Sequence, residues 1–169
     1  MALLILLGGP PGVGKSSVCA QLSRKDWCHV EADHVSPPDS DASREDAIDE
    51  VVTRVESELS ANSVVALSWV FARRELFQPF LERFSPLHDL EQVYLVCAEN
   101  ELAARLDSRD SADLFGYSLS RLRLINDLPF EIIDTTNMEV DDVATHLFER
   151  FQSPPNEQLL YEHNLEVFC

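Results

Sequence analysis

The sequence predicts a three-layer α/β/α fold, in which helices cover both faces of a five-stranded parallel sheet. Five short apolar runs alternate along the 169 residues with segments of helical periodicity. The first run, residues 2–7, is apolar at every position, which is typical of a strand buried on both faces. Strands separated by helices pair in parallel through right-handed crossovers, and ligands of such sheets bind beyond the carboxyl ends of the strands.

The predicted elements follow one another in regular order. We expect strands at 2–7, 28–31, 64–67, 90–97 and 130–133. We expect helices after the loop that follows the first strand, and then at 41–61, 73–84, 99–106, 118–126 and 140–151. Residues 32–34 should end the second strand before Pro37 and Pro38 break the chain, and Pro79 should bend the helix in which it lies. Ser118 is expected to cap the helix that it begins.

The length of the chain is that of one domain with a substantial core. We assign residues 1–151 to this domain, and we interpret the polar segment 107–117 as a mobile lid. Residues 152–169 form a tail that packs on the domain or trails from it.

Composition narrows the function classes. A hydrophobic content of 45% argues against disorder, and a net charge of −17 weighs against nucleic-acid and anionic-membrane partners. The first apolar run lacks the basic residues that open a signal peptide, and no other stretch is long enough to span a membrane. The four cysteines show no C-x-x-C pairing, which favours reduced thiols, with Cys97 in the core. We therefore expect a cytoplasmic monomer or homodimer with neither a nucleic-acid nor a membrane partner.

The loop after the first strand carries the most specific signal. It reads GPPGVGKS over residues 9–16 and matches G-x-x-x-x-G-K-[ST], between a strand and a helix that carries Val18 and Leu22 at helical spacing. Glycines let successive N–H groups face one anion, and the helix dipole adds positive potential there. Lys15 can reach the outer phosphates of a nucleoside triphosphate, and the Ser16 hydroxyl can hold Mg²⁺. The predicted nucleotide-binding residues of this loop are Gly9, Pro10, Pro11, Gly12, Val13, Gly14, Lys15, Ser16 and Ser17.

Candidate binding and catalytic residues follow the other predicted strands as well. They occupy residues 33–34, 68–74, 105–109 and 134–137. Because the carboxyl ends of parallel strands meet at one edge of a sheet, these segments should lie near the phosphate loop.

This order of motifs resembles the small P-loop kinases. It is similar to the gluconate kinase and shikimate kinase relatives of the nucleoside monophosphate kinase-like group, and to the zeta-toxin and chloramphenicol phosphotransferase branch. The resemblance extends to about residue 151 and implies a P-loop NTPase fold, the cofactors ATP and Mg²⁺, and transfer of phosphate to a hydroxyl of a small molecule such as a sugar acid.

The resemblance also implies roles for individual residues. Asp33, in Glu31-Ala-Asp33, would orient the acceptor hydroxyl or take its proton, with Lys15 and Arg109 as the other catalytic residues. The segment 68–74 would bind the acceptor through Trp69 and through Arg73 or Arg74, with Phe71 as a second wall or as core. The nucleotide would also be held by Arg105, Arg109, Thr135 and Asn137, of which one arginine stacks near the adenine and the other reaches the phosphates.

One departure from related ATPases bears on function. The third strand ends in Ala66-Leu67-Ser68 and has no aspartate where motor-type ATPases place a Mg²⁺-binding acid. This argues against a motor ATPase or helicase and leaves Ser16, waters and Asp33 as candidates around the metal. Two alternatives to a sugar-acid kinase stay open: a nucleoside or nucleotide kinase with the acceptor between Trp69 and Phe71, and a non-catalytic ATP-sensing module.

Overall fold

The computed structural model describes residues 1–35, 43–125 and 128–152. Within these ranges five parallel strands form one sheet in the order β2-β3-β1-β4-β5. Their bounds are β1 Leu3–Gly8, β2 Cys28–Glu31, β3 Val64–Ser68, β4 Asp89–Val96 and β5 Glu131–Asp134. Leu7 of β1 is opposite Ser68, and Gly8 is opposite Tyr94. The loop that leaves β1 therefore begins in the middle of the sheet edge, between the ends of β3 and β4.

Helices connect the strands. Their bounds are α1 Lys15–Ser23, α2 Ala32–Val35, α3 Arg44–Ala61, α4 Arg74–Phe84, α5 Glu99–Asp107, α6 Phe115–Arg123 and α7 Val140–Gln152, with a 3-10 turn at Ala112–Leu114. The start of α3 is fixed by a capping box, because the Ser43 hydroxyl accepts from the Asp46 N–H while the Asp46 carboxylate accepts from the Ser43 N–H. Pro79 lies inside α4, where sequence analysis expected it.

Two hydrophobic cores lie on opposite faces of the sheet. Alternate residues of β1 divide between them, with Ile5 and Leu7 on one side and Leu4 and Leu6 on the other. The first core takes buried side chains from three helices, namely Val18 of α1, Leu102 and Leu106 of α5, and Val143, Ala144 and Leu147 of α7. The second takes them from Ile48, Val51, Val55 and Leu59 of α3 and from Phe77, Phe80 and Phe84 of α4. The predicted three-layer fold with a five-stranded parallel sheet is thus confirmed.

The connection between α5 and α6 corrects the sequence prediction. Residues 107–117 were expected to form a loop and Ser118 to cap the next helix, but the segment contains the 3-10 turn and α6 begins at Phe115. Phe115 and Leu122, seven residues apart on α6, both pack against the first core. Ser118 is fully buried inside this helix rather than at its start. Hydrophobic contact therefore extends the helix across Gly116.

Other predicted features differ in smaller ways. Residues 32–34 continue into the short helix α2 instead of closing the second strand. Cys97 is buried, as predicted. The predicted break at residues 37–38, the helix positions 41–42 and 126, and the tail beyond residue 152 lie outside the described residues. None of the helices within those residues combines the length and the hydropathy that a membrane crossing requires.

Candidate active site

The phosphate loop is built around glycines in conformations that other residues avoid. Gly9 has φ +153°, and a Cβ added there would lie 2.7 Å from Val13 Cγ1 and 3.0 Å from the Leu95 carbonyl oxygen. Gly14 has φ +105° and is the N-cap of α1, with its carbonyl accepting from the Val18 N–H at 3.0 Å. The loop thus turns tightly over the sheet edge and enters α1, whose N-terminus carries free N–H groups and positive potential.

Lys15 lies at the centre of this loop. Its ammonium donates to the carbonyl oxygens of Gly9 at 2.7 Å and Pro10 at 3.1 Å. Burial lowers the pKa of Lys15 to about 8, while the nearby Asp33 and Glu31 carboxylates act in the opposite direction. A half-buried cation whose hydrogen bonds within the described residues go to carbonyls can exchange these contacts for those to an anion.

Two carboxylates from the end of β2 face the loop. The Ser16 hydroxyl donates to Glu31 Oε1 at 2.6 Å, and His34 Nδ1 lies 3.5 Å from Glu31 Oε2. Asp33 accepts a hydrogen bond from the indole Nε1 of Trp69 at 3.1 Å. Burial raises the pKa of Asp33 above its usual value, while Lys15 lowers it. The acidic side chain that contacts Ser16 is therefore Glu31, to which sequence analysis gave no metal role, and not Asp33.

A histidine and a serine occupy the place of the missing third-strand acid. Ser68 ends β3, is buried, and shares a hydrogen bond of 2.8 Å with Nε2 of His29 on β2. Burial lowers the pKa of His29, which favours the neutral ring. The local acid is supplied by β2, one strand away, so the site keeps a carboxylate beside Ser16 without one on β3.

Arg105 joins three parts of the site. Its guanidinium donates to the carbonyl oxygen of Val13 at 3.0 Å, to Thr135 Oγ1 at 3.1 Å and to the Thr135 carbonyl at 2.9 Å. Its Nε donates to Glu101 Oε1 at 2.7 Å. Thr135 is itself buried and donates through Oγ1 to the Val96 carbonyl at 2.9 Å. The arginine that follows it by four residues differs, because α5 ends at Asp107 and Arg109 lies beyond the helix with an exposed side chain.

Two cavities open on opposite sides of the phosphate loop. One, about 400 Å³, lies between α5, α7 and the segment after β5, and we call it the nucleobase-side cavity because the sequence predicts the nucleobase contacts there. Among the residues that line it are Val13, Arg105, Thr135, Thr136, Asn137 and Met138. The other, about 170 Å³, lies at the ends of β2 and β3, and we call it the acceptor-side cavity because the sequence predicts the acceptor contacts there. It is lined by Lys15, Ser16, Glu31, Asp33, Ser68 and Trp69, among others. Gly14 and Arg109 line both cavities.

The structure brings most of the predicted site residues to these cavities, but six of them line neither: Gly9, Pro10 and Ser17 of the phosphate loop, together with Phe71, Arg73 and Arg74. Arg73 and Arg74 are exposed at the start of α4 and line neither cavity, and Arg74 Nε donates to Gln78 at 3.2 Å. Phe71 is fully buried against Phe80 and Phe130. It is therefore core, and an acceptor held between Trp69 and Phe71 does not fit this packing.

The segment after β5 is organised by its own side chains. Asp134 accepts from the N–H and the hydroxyl of Thr136, which lowers the pKa of the carboxyl group. The same hydroxyl accepts from the Ala98 N–H at 2.8 Å, which ties the segment to the start of α5. This leaves Asn137 at the wall of the nucleobase-side cavity.

Two features of the site had weak signals in the sequence. The pairing of His29 with Ser68 depends on the register of β2 against β3, in which Glu31 is opposite Ser68. Tyr94 lies beneath Gly8, where an added Cβ would come within 2.3 Å of its ring, and its hydroxyl donates to the Val70 carbonyl at 3.2 Å. Both depend on neighbouring strands far apart in the chain, so spacing along the sequence could not reveal them.

The family follows from a comparison of the sequence with family models. The model described as an AAA domain matches residues 5–114, which include the phosphate loop, both acidic residues of the β2 end and the two arginines after β4. The chain belongs to the AAA domain family. No curated protein matches this AAA domain protein significantly in sequence.

Solved structures share the fold of this AAA domain protein. The tunicamycin resistance protein of Deinococcus radiodurans superposes with a TM-score of 0.70 at 19% identity, covering 92% of this chain and 100% of its own. A gluconokinase from Sinorhizobium meliloti gives 0.63 at 20% identity, covering 94% and 95%. Shikimate kinase from Bacteroides thetaiotaomicron gives 0.59 at 14% identity, covering 89% and 98%. The predicted likeness to small P-loop kinases is confirmed for the fold.

Proposed function

We propose that this protein is an ATP-dependent phosphotransferase that transfers the γ-phosphate to a hydroxyl group of a small molecule. The observation that carries the proposal is that the two cavities are adjacent and share lining residues. They meet at Gly14 and Arg109, and the second holds an ammonium, at Lys15, beside a carboxylate, at Asp33. Phosphoryl transfer depends on positioning and on electrostatic stabilisation, and these groups can supply both.

The nucleotide would extend across both cavities. The larger one has room for a nucleobase beside Arg105, Thr135 and Asn137, and the phosphate loop would receive the triphosphate on its N–H groups. Lys15 would leave the carbonyls of Gly9 and Pro10 to contact the outer phosphates. Arg109 would lie over the phosphates from the other side, since its side chain borders both cavities.

Ser16 and Glu31 fit a magnesium ion. Both offer oxygen atoms, which hard divalent cations prefer, and these atoms lie 2.6 Å apart at the start of α1. Among the described residues no cluster of three or more His, Cys, Asp or Glu side chains forms a metal site, so the phosphates and water would complete the coordination. When bound, Mg²⁺ neutralises charge on the phosphates.

Asp33 is the residue that we assign to the acceptor. Its carboxylate would accept the proton of the acceptor hydroxyl while the hydroxyl oxygen bonds to the γ-phosphorus and the bond to ADP breaks. The hydrogen bond from Trp69 orients the carboxylate. Its raised pKa makes it a better proton acceptor than an ordinary aspartate.

The names of the structural neighbours support this class of reaction. They include a gluconokinase, a shikimate kinase and a protein described as a sugar kinase. At sequence identities of 13–20%, the likeness to these neighbours supports the fold but does not identify the acceptor.

The proposal is tested by ADP formation across a metabolite panel, with ATP binding measured in parallel by calorimetry. We expect ADP formation that requires an acceptor, with Asp33→Asn lowering kcat roughly 100- to 10,000-fold while ATP still binds. Lys15→Ala should abolish ATP binding. Asp49→Asn, an exposed aspartate on α3 that lines neither cavity, is the matched control and should behave like the unmodified protein.

Two results would contradict the proposal. The first is ADP formation that needs no acceptor and survives Asp33→Asn. The second is ATP binding without turnover for any acceptor, which would support an ATP-sensing module instead. Nucleosides and nucleotides in the same panel decide whether the enzyme is a nucleoside or nucleotide kinase.

A further inference from the structure

We propose that the acceptor carries no anionic group, and that it is an uncharged or amine-bearing hydroxyl compound rather than a sugar acid or a phosphorylated metabolite. This inference rests on the proposed phosphotransfer and narrows its substrate class. It follows from where the positive charges of the molecule lie.

Every Lys and Arg side chain of the chain can be placed. The sequence has 13 of them, and all lie within the described ranges 1–35, 43–125 and 128–152. The segment 36–42, which follows the acidic end of β2 in sequence, reads SPPDSDA and contains no basic residue. A lysine or arginine that pairs with an anionic acceptor must therefore be one whose position is known.

Eight of these 13 basic side chains interact with other groups of the protein, away from the acceptor-side cavity. Five arginines form ion pairs with glutamates, and these are Arg54, Arg83, Arg105, Arg123 and Arg150. Arg24 donates to Gln21, Lys25 lies over the ring of Phe148, and Arg121 lies over the ring of Tyr117. None of these eight lines the acceptor-side cavity.

Two basic side chains do line that cavity, and the proposed function assigns both of them to contacts with the phosphates of ATP. Lys15 belongs to the loop that binds the triphosphate, and Arg109 lies at the junction with the nucleobase-side cavity. Once ATP is bound, its own negative charge exceeds theirs. Among the described residues of the wall, the other charged groups are Glu31, which the proposed function assigns to Mg²⁺, and Asp33, both acidic.

Arg73 and Arg74 follow Val70, a residue that lines this cavity, by three and four positions in the chain. Both are exposed and outside the lining, and Arg74 points its Nε to Gln78 along its own helix. Arg44, at the start of α3, is also exposed and outside the lining.

The remaining wall suits an uncharged or cationic molecule. Trp69 offers an aromatic side chain whose rings make edge contacts with Phe71 and Phe80, so its position is fixed. Asp33 offers a hydrogen-bond acceptor to a hydroxyl or an amine. A carboxylate or phosphate on the acceptor would instead meet the like charge of Asp33, the carboxylate that Mg²⁺ leaves uncompensated, in a cavity of only about 170 Å³.

The test compares acceptors that differ by one group. ATP-dependent phosphorylation is measured for glucose, glucosamine and glucuronate, for uridine and UMP, and for further matched sets from a metabolite panel. We expect the best acceptor to be uncharged or amine-bearing, with kcat/KM at least about tenfold higher than for its anionic counterpart. Arg73→Ala combined with Arg74→Ala should leave the acceptor KM within twofold.

The outcomes separate this inference from the proposed function. A best acceptor that is anionic, or a rise of tenfold or more in acceptor KM in the double variant, overturns the inference while phosphotransfer stands. Transfer to no member of any class, with ATP still bound, removes the proposed function and this inference with it.

Discussion

The two cavities are built in different ways, although they share one loop. In the nucleobase-side cavity Arg105 joins α5, the phosphate loop and the segment after β5, and Thr135 is buried beneath it. In the acceptor-side cavity, by contrast, Glu31 ends β2 and Asp33 lies in the short helix α2. Asp33 accepts one hydrogen bond, from Trp69, and Glu31 contacts only its neighbours Ser16 and His34 among the described residues. The first cavity is preorganised by a network of bonds, and the second is assembled from the ends of two strands.

This difference has a functional consequence. If the first cavity holds one nucleotide in every reaction of the proposed phosphotransferase, a preformed and cross-linked cavity costs no adaptability and lowers the entropy lost on binding. An acceptor site built from a few side chains at strand ends can change its chemistry by single substitutions without disturbing the fold. We therefore expect changes in the first cavity to affect stability and nucleotide binding together, and changes in the second to affect turnover alone.

The largest effect should follow from a change in the loop that both cavities share. Gly9→Ala places a Cβ 2.7 Å from Val13 Cγ1 and 3.0 Å from the Leu95 carbonyl, at a φ of +153°. The strain, about 2–3 kcal/mol, should weaken ATP binding roughly 30- to 140-fold in calorimetry and lower turnover of every acceptor.

Gly116→Ala is the matched control for this change. Gly116 lies in α6 with no atom near an added Cβ, so the variant should gain about 0.5–1 kcal/mol of stability and bind ATP normally. Normal ATP binding by Gly9→Ala would show that the loop does not hold the nucleotide as described.

The two arginines after β4 provide the sharpest contrast. Arg105→Ala removes the half-buried guanidinium that donates hydrogen bonds to the carbonyl oxygens of Val13 and Thr135. This variant should lower the free energy of unfolding by about 2–3 kcal/mol and raise the KM for ATP. Arg109→Ala removes an exposed side chain at the junction of the cavities, and should leave the melting temperature unchanged while kcat falls roughly 100-fold. Denaturant unfolding and steady-state kinetics on both variants check this. Equal losses of stability in the two would contradict the division of roles.

The sequence predicted the nucleotide half of the molecule more completely than the acceptor half. The phosphate loop could be predicted because glycines, Lys15 and Ser16 are close together in the chain and their spacing has one common use. The fold could be predicted because apolar runs and helical periodicity are local signals, and they agree with the observed strands within one residue at most ends. The assignment of residues 107–117 to a loop was wrong for residues 115–117, because the packing of Phe115 on the core begins α6 there.

The acceptor half depends on register, which the sequence does not reveal. The pairing of β2 with β3 places His29 at Ser68 and Glu31 near Ser16, across separations of 39 and 15 residues. Phe71 and Trp69 could not be told apart from composition, yet one is fully buried and the other borders a cavity. The roles of Arg73, Arg74, Asp33 and the other site residues stay predictions until the variants are measured.

A smaller effect should be visible in the proton balance of nucleotide binding. Because the pKa of Lys15 is lowered to about 8, a large part of this side chain is neutral at pH 8.5, and bound phosphates would restore its proton. We expect ATP binding at pH 8.5 to take up more than half a proton, and much less at pH 7, as measured by calorimetry in buffers of different ionisation enthalpy.

Lys15→Arg is the control for proton uptake, since arginine keeps its charge at both pH values. The variant should bind ATP without the uptake at pH 8.5. Equal uptake by both proteins would show that another group takes the proton and that Lys15 is charged before the nucleotide arrives.

The smallest effect should come from beneath the acceptor-side cavity. The Tyr94 hydroxyl donates to the carbonyl of Val70, a lining residue, and burial raises the pKa of this hydroxyl, so it stays a donor at physiological pH. Tyr94→Phe leaves that carbonyl without this donor at a cost of about 1 kcal/mol. We expect the acceptor KM to rise roughly threefold while the KM for ATP stays constant, because Tyr94 lines neither cavity and acts through the wall.

The control is Tyr117→Phe, which changes an exposed tyrosine on α6 and should alter neither constant. A rise in the KM for ATP in Tyr94→Phe would mean that the two cavities are not independent.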